Sequence, residues 1–240
     1  MLKIIYLKDY ISKYIMLRFQ ISEEYKYKQP YPYAFQDNIL EDTVATSIQQ
    51  EILSIPEEAW DRYSNPFEDK YTLRDKYAFP PHLALLFKEL ESEKVLTELS
   101  RICGTRLIVD PTRNFWGVHK YHNGDKLDIH LDAEIHPITK QKKQLTLGIY
   151  LSSDWKEEYG CLFEIWRGDS ILLEKVDSIT PMFNRLILFT CQENSWHGNP
   201  VPVQSDATRI FITMSYLSEE IMENKRTKAL FIARPGDPED

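Results

Sequence analysis

The 240 residues are enough for one well-buried domain and few for two. A net charge of -8 argues against a general nucleic-acid binder, and the longest apolar runs fall far short of a bilayer span, so neither nucleic acid nor membrane is an expected partner. Cys103, Cys161 and Cys191 are odd in number and widely spaced, which fits neither a disulfide framework nor a zinc knuckle. They suggest a reducing, intracellular home, cytoplasmic by expectation.

Residues 1–25 read as an N-terminal extension with no signal-peptide pattern. Residues 26–104 read as a helical support region that begins with the extended, aromatic segment PYPYAFQDNIL. Asp42 is placed to cap a helix in which Val44, Ile48 and Ile52 share a face. Residues 59–80 mix aromatics with charges and show no period, which predicts a surface loop and a candidate lid. Pro80 and Pro81 open a helix with Leu83, Leu86, Phe87 and Leu90 on one face. Ser92 caps another carrying Val95, Leu96, Leu99 and Ile102, with Gly104 placed to end it.

After Gly104 short strand-like runs follow at 105–109, 115–121, 127–132, 144–151, 161–166, 171–174, 185–190 and 209–217. The expected fold is α+β and mainly β: a double-stranded β-helix (jelly-roll or cupin-like) core over 105–217, with N-terminal helices packed on one side. Residues 218–240 are expected to form a C-terminal helix or tail of the same single domain.

The chemistry-bearing segment is Leu127-Asp128-Ile129-His130-Leu131-Asp132. As a strand it puts Asp128, His130 and Asp132 on one face, which could equally be a solvated polar face. His197 follows the apolar run Leu186-Ile187-Leu188-Phe189. Two imidazoles and one carboxylate make a facial triad suited to iron with open positions. Arg209, twelve residues further on, opens a strand whose face it shares with Phe211, Thr213 and Ser215. An inward guanidinium there suits a carboxylate in two-point contact; a solvated arginine is the plainer alternative. Tyr121 precedes an Asn-Gly turn, which predicts a hairpin returning it beside the metal strand.

The ordered set Tyr-x-x-Gly-x-x-x-x-x-His-x-Asp, then Asn-Arg-Leu-x-x-Phe, His-Gly and a later basic residue resembles the prolyl 4-hydroxylase branch of the 2-oxoglutarate/iron(II) oxygenases, over residues 105–217. Tyr150-Leu151-Ser152-Ser153-Asp154-Trp155 and Ala207-Thr208-Arg209 are similar to the oxygen-sensing prolyl hydroxylases. The resemblance implies Fe(II) held by His130, Asp132 and His197. It also implies 2-oxoglutarate anchored by Arg209 and Tyr121, with Thr213 or Thr146 as a further donor, and O2 consumed with ascorbate as an accessory reductant.

The implied reaction is hydroxylation of a prolyl or other side chain of a protein or peptide. A free small molecule is the alternative substrate, and a non-catalytic jelly-roll binding module the alternative function. Three features depart from the family pattern. The spacing from His197 to Arg209 is longer. The inward face of 144–151 is expected to carry Leu147, Ile149 and Leu151 where a second tyrosine is common. Gly160-Cys161 stands for a Gly-Gly. Among the other histidines, His136 reads as solvated; His119 and His122 flank Tyr121, one of them a candidate for lining the pocket, with supporting or surface roles the plainer reading. Cys161 and Cys191 read as buried inert thiols, and Trp196 as shaping the substrate mouth.

Overall fold

The computed structural model describes residues 15–73, 79–168 and 173–232. Three helices, α1 (Asp42–Leu53), α2 (Pro81–Leu90) and α3 (Glu93–Cys103), form one layer. Ser92 Oγ accepts a bond from the Val95 amide, and Gly104, left-handed at φ 70°, closes α3 as its lack of a Cβ allows. At α1 the capping position is Glu41, whose side chain makes no capping bond, and Asp42 is the first helical residue.

Thirteen strands follow or interleave: β1 (Tyr33–Gln36), β2 (Asp61–Asn65), β3 (Glu68–Leu73), β4 (Ile108–Val109), β5 (Trp116–Tyr121), β6 (Lys126–Leu131), β7 (Gln141–Tyr150), β8 (Phe163–Gly168), β9 (Leu173–Ile179), β10 (Arg185–Thr190), β11 (His197–Asn199), β12 (Arg209–Ile221) and β13 (Leu230–Phe231). All named pairings are antiparallel, in the order β1-β10-β7-β12-β5-β3-β6-β11-β8-β9, with β2 on β3, β4 on β12 and β13 on β6. The sheet rolls over on itself, so that Phe163 and Ile165 of β8 pack against Ile187 and Phe189 of β10. This is the expected mainly-β jelly-roll barrel with helices on one side.

The two faces of β7 have separate jobs. Leu145, Leu147, Ile149 and Leu151 pack under the helices with Val44, Ile48, Leu83, Leu86 and Leu99. Tyr150 points the other way, into the barrel. Leu147, Ile149 and Leu151 therefore face the helix layer, not the barrel interior.

Several expectations are corrected. The 59–80 segment contains the hairpin β2–β3, and β3 lies between β5 and β6: Tyr71 pairs Lys120, and Glu68 pairs Leu127. The Asn-Gly turn exists, with Gly124 at φ 89°, but β5 and β6 do not pair across it because β3 occupies the edge each would have offered the other. The 26–104 region thus contributes three strands to the sheet as well as helices. No helix occurs among the described residues of 218–240: β12 runs on to Ile221 and the chain returns as β13. Residues 1–14 of the N-terminal extension lie outside the described residues; Ile15 and Leu17 are buried in the helix-side core.

Candidate active site

β6, β11 and the turn after β6 bring three donors together. His197 sits opposite His130 across the β11–β6 pair, with ring centroids 4.4 Å apart. Asp132, one residue past β6, lies with Oδ1 3.6 Å from His130 Nε2 and Oδ2 4.0 Å from His197 Nε2. Candidate ligand atoms of all three fall within 4.8 Å of one another, close enough to share one metal ion. Gly198 makes the approach possible, since a Cβ there would stand 2.7 Å from the Asp128 carbonyl.

Local hydrogen bonds orient the donors. His130 Nδ1 donates to the Asp128 carbonyl and His197 Nδ1 to the Ser195 carbonyl, each at 2.8 Å, so both Nε2 atoms are left as acceptors facing Asp132. Burial, reinforced by the nearby His130, lowers the His197 pKa to about 3 and keeps that imidazole neutral. Burial alone would raise Asp132; Lys143, His130 and His197 outweigh it and hold the carboxyl well below its usual range. His197 and Asp132 are therefore in the protonation states a metal requires.

Arg209 lies on the wall of the same cavity, which measures about 580 Å³. It is 1% exposed, and its Nε and Nη1 have no hydrogen-bond partner. Nη2 donates to Tyr150 Oη at 3.3 Å, and the guanidinium stacks 4.7 Å from the Tyr121 ring and 4.9 Å from the Tyr150 ring. No carboxylate of the described residues pairs with it. A buried guanidinium with two unmet donors is costly unless an anion completes it, so the residues present fit a carboxylate ligand such as 2-oxoglutarate.

Tyr121 reaches Arg209 because β5 pairs β12 with these two residues opposite each other, not through the expected hairpin. Tyr150 was missed. Its signal was the alternation of Thr146, Gly148 and Tyr150 against the leucines and isoleucine of β7. A Cβ on Gly148 would collide with the Phe211 ring, so glycine there makes room for Phe211 beside Tyr150. Thr146 and Thr213 both line the cavity, but the Thr213 hydroxyl donates to the Leu147 carbonyl at 3.4 Å.

The hairpin, through β3, and β13 both pair along the edge of β6 that β11 leaves free, and residues of each line the cavity. Phe67 at the hairpin turn stacks on Phe231 of β13 at 5.0 Å, and Phe231 in turn lies 5.2 Å from the His130 ring. Arg62 ties the hairpin to the buried Asp125 at 2.8 Å, so this is an anchored wall and not a loose loop.

His119 lines the cavity, as Tyr121 does; His122 does not. His136 is fully buried rather than solvated: Nδ1 accepts the amides of Ile138 and Thr139, and Nε2 contacts Thr112. It pins a turn, and its acceptors are used up. Trp196 packs with Ile129, Leu131 and Trp166 behind the metal strand and does not line the cavity. Cys161 and Cys191 are buried free thiols.

Two imidazoles and a carboxylate on one side of a barrel, with a buried arginine awaiting an anion in the same cavity, define a non-haem metal-dependent oxidoreductase class. Residues 116–216 match the model of the 2OG-Fe(II) oxygenase superfamily, and His130, Asp132 and His197 offer the donor set that a dioxygenase of that kind, working with Fe(II), 2-oxoglutarate and O2, requires. Similar solved structures include a prolyl hydroxylase from Trichoplax adhaerens in complex with a peptide fragment of the hypoxia inducible factor oxygen degradation domain (17% identity, TM-score 0.58, covering 90% of this chain and 92% of that one). A 2OG-Fe(II) oxygenase family oxidoreductase from Burkholderia pseudomallei shares 15% identity at a TM-score of 0.59, over 88% of this chain and 98% of that one. The non-heme alpha ketoglutarate dependent carbocyclase SnoK from nogalamycin biosynthesis shares 14% at 0.61, over 92% and 88%. At such identities the likeness is one of fold. No curated protein matches the chain by sequence. No helix among the described residues is long and apolar enough to cross a membrane.

Proposed function

We propose that this oxygenase hydroxylates an unactivated carbon of a protein or peptide side chain, prolyl as the first choice, while converting 2-oxoglutarate to succinate and CO2. The observation that carries this reading is Arg209, whose two unmet buried donors face the cavity that also holds His130, Asp132 and His197. When bound, iron and 2-oxoglutarate supply the O2-derived oxidant; the chain's share is orientation and exclusion of water. His130 and His197 offer fixed Nε2 lone pairs, and Asp132 adds one charge to the metal. Arg209, with Tyr121 and Tyr150, would grip the far carboxylate of 2-oxoglutarate. Phe231, which lines the cavity 5.2 Å from the His130 ring, would help keep bulk water from the metal donors.

The peptide choice leans on the Trichoplax neighbour, solved with a peptide fragment. A free small molecule is the second reading, favoured by the SnoK neighbour. The test is succinate release from 2-oxoglutarate with Fe(II) and ascorbate, screened against prolyl peptides and small metabolites. Stimulation by peptides is expected. Stimulation by metabolites alone moves the substrate to the second reading, and no succinate under any condition, with iron bound, removes the coupled reaction.

A further inference from the structure

The metal end of the cavity holds a cation that a facial triad does not itself require. Lys143, near the start of β7, has a side chain 7% exposed and places its ammonium 2.6 Å from Asp132 Oδ2. Asp132 is its only carboxylate partner among the described residues. Its position is fixed from several sides. The Lys143 amide donates to the Glu134 carbonyl at 2.8 Å, the ammonium lies 5.0 Å from the centre of the Phe115 ring, and Ile135 bridges Lys142. The turn carrying Asp132 is held as well, because Arg226 Nη2 donates to the Asp132 carbonyl at 2.9 Å.

Desolvating an ammonium this fully costs several kcal/mol on a rough scale, so it persists only where a partner and good geometry offset it. The contact makes the two oxygens of Asp132 inequivalent: Oδ2 is occupied by Lys143, while Oδ1, on the His130 side, is left as the free donor.

We propose that Lys143 is a positioning residue for the iron site: by occupying Asp132 Oδ2 it makes the carboxylate a one-oxygen ligand, so that the protein contributes three donors and not four. The inference rests on the oxygenase reading. Three protein donors would leave positions on the iron open for co-substrate and O2. A carboxylate rotated to bind through both oxygens would remove one of them. Outer partners that orient a metal ligand commonly contribute about 10–100-fold in metal affinity.

The experiment uses the full chain and cobalt(II) as an air-stable probe beside anaerobic Fe(II), with affinity from calorimetry and coordination number from the cobalt absorption spectrum. Lys143→Met keeps the stem and removes the charge. Its expected result is roughly a 10–100-fold loss of metal affinity with a changed cobalt spectrum. Lys143→Arg, which can still bond Oδ2, is expected to recover most of the affinity and the wild-type spectrum. Wild-type affinity and spectrum in Lys143→Met, or tighter binding, overturns the proposal. Wild-type protein and Asp132→Ala test the underlying reading separately: if wild type binds no metal, or Asp132→Ala binds it unchanged, the metal site itself is misassigned. Should Lys143→Met not fold, Lys143→Gln is read against the same outcomes.

Discussion

The two ends of the cavity differ in how their polar groups are satisfied. At the metal end each donor is already oriented: the histidine Nδ1 atoms are bound to carbonyls, and Asp132 is paired with Lys143. At the other end Arg209 is left with unmet donors between two tyrosine rings. The first end is preorganised by the chain alone; the second carries a cost that only a bound anion removes. Metal and co-substrate should therefore fail independently when their own end is damaged.

The largest effect is expected from Asp132→Ala. It deletes a proposed ligand and leaves the Lys143 ammonium buried without a carboxylate partner, so metal binding should fall by more than about 100-fold, on the scale of losing a buried charge partner. Retained metal affinity by calorimetry would show that the metal end is not where the geometry puts it. Next is Arg209→Met. The 2-oxoglutarate requirement should rise about 100-fold or more with metal affinity unchanged, because a two-point charged contact is lost. The same change should raise the thermal midpoint of the ligand-free protein, since an unpaired buried charge is removed. A lowered midpoint would mean that Arg209 is satisfied without a ligand, and the contrast between the ends would dissolve.

Tyr150→Phe should weaken 2-oxoglutarate by about tenfold, the worth of one hydrogen bond to a charged group, read as a shift in the concentration dependence of succinate release. The smallest effect concerns acid stability. Folded His197 titrates near 3 against 6.5 for an ordinary histidine, its lowering caused first by burial and then by His130. Between those values the unfolded chain binds a proton that the folded one refuses, so stability of the metal-free protein falls as pH drops from 6.5 towards 3. His197→Phe should flatten that part of the profile in denaturant titrations; an unchanged slope would place the acid sensitivity elsewhere.

Much of the site was readable because its parts lie on single strands or beside them. His130 and Asp132 are two apart, and Arg209, Phe211, Thr213 and Ser215 alternate along one strand, so each set could be placed on a common side without knowing the fold. Other parts were not readable, each for its own reason. Both faces of β7 are buried, so alternation separated Tyr150 from Leu147 and Ile149 but could not say which set looks into the barrel. The β2–β3 hairpin, DRYSN and EDKYTL, has no apolar alternation, because it closes a half-exposed mouth and packs on no core of its own. Leu127 and His130 both line the cavity although alternation separates them, since the β6–β11 register shifts between them.

By itself the sequence determined the candidate donor residues, their order and spacing, the helices with their apolar faces and the strand-rich core, because these follow from local periodicity and side-chain chemistry. Only the tertiary structure decided that β3 separates β5 from β6, that Tyr121 and Tyr150 flank Arg209, and that Lys143 reaches Asp132. A period of two specifies which residues share a face. Which face meets which neighbour depends on strand pairing between segments far apart in the chain, and that is settled only when the whole sheet closes.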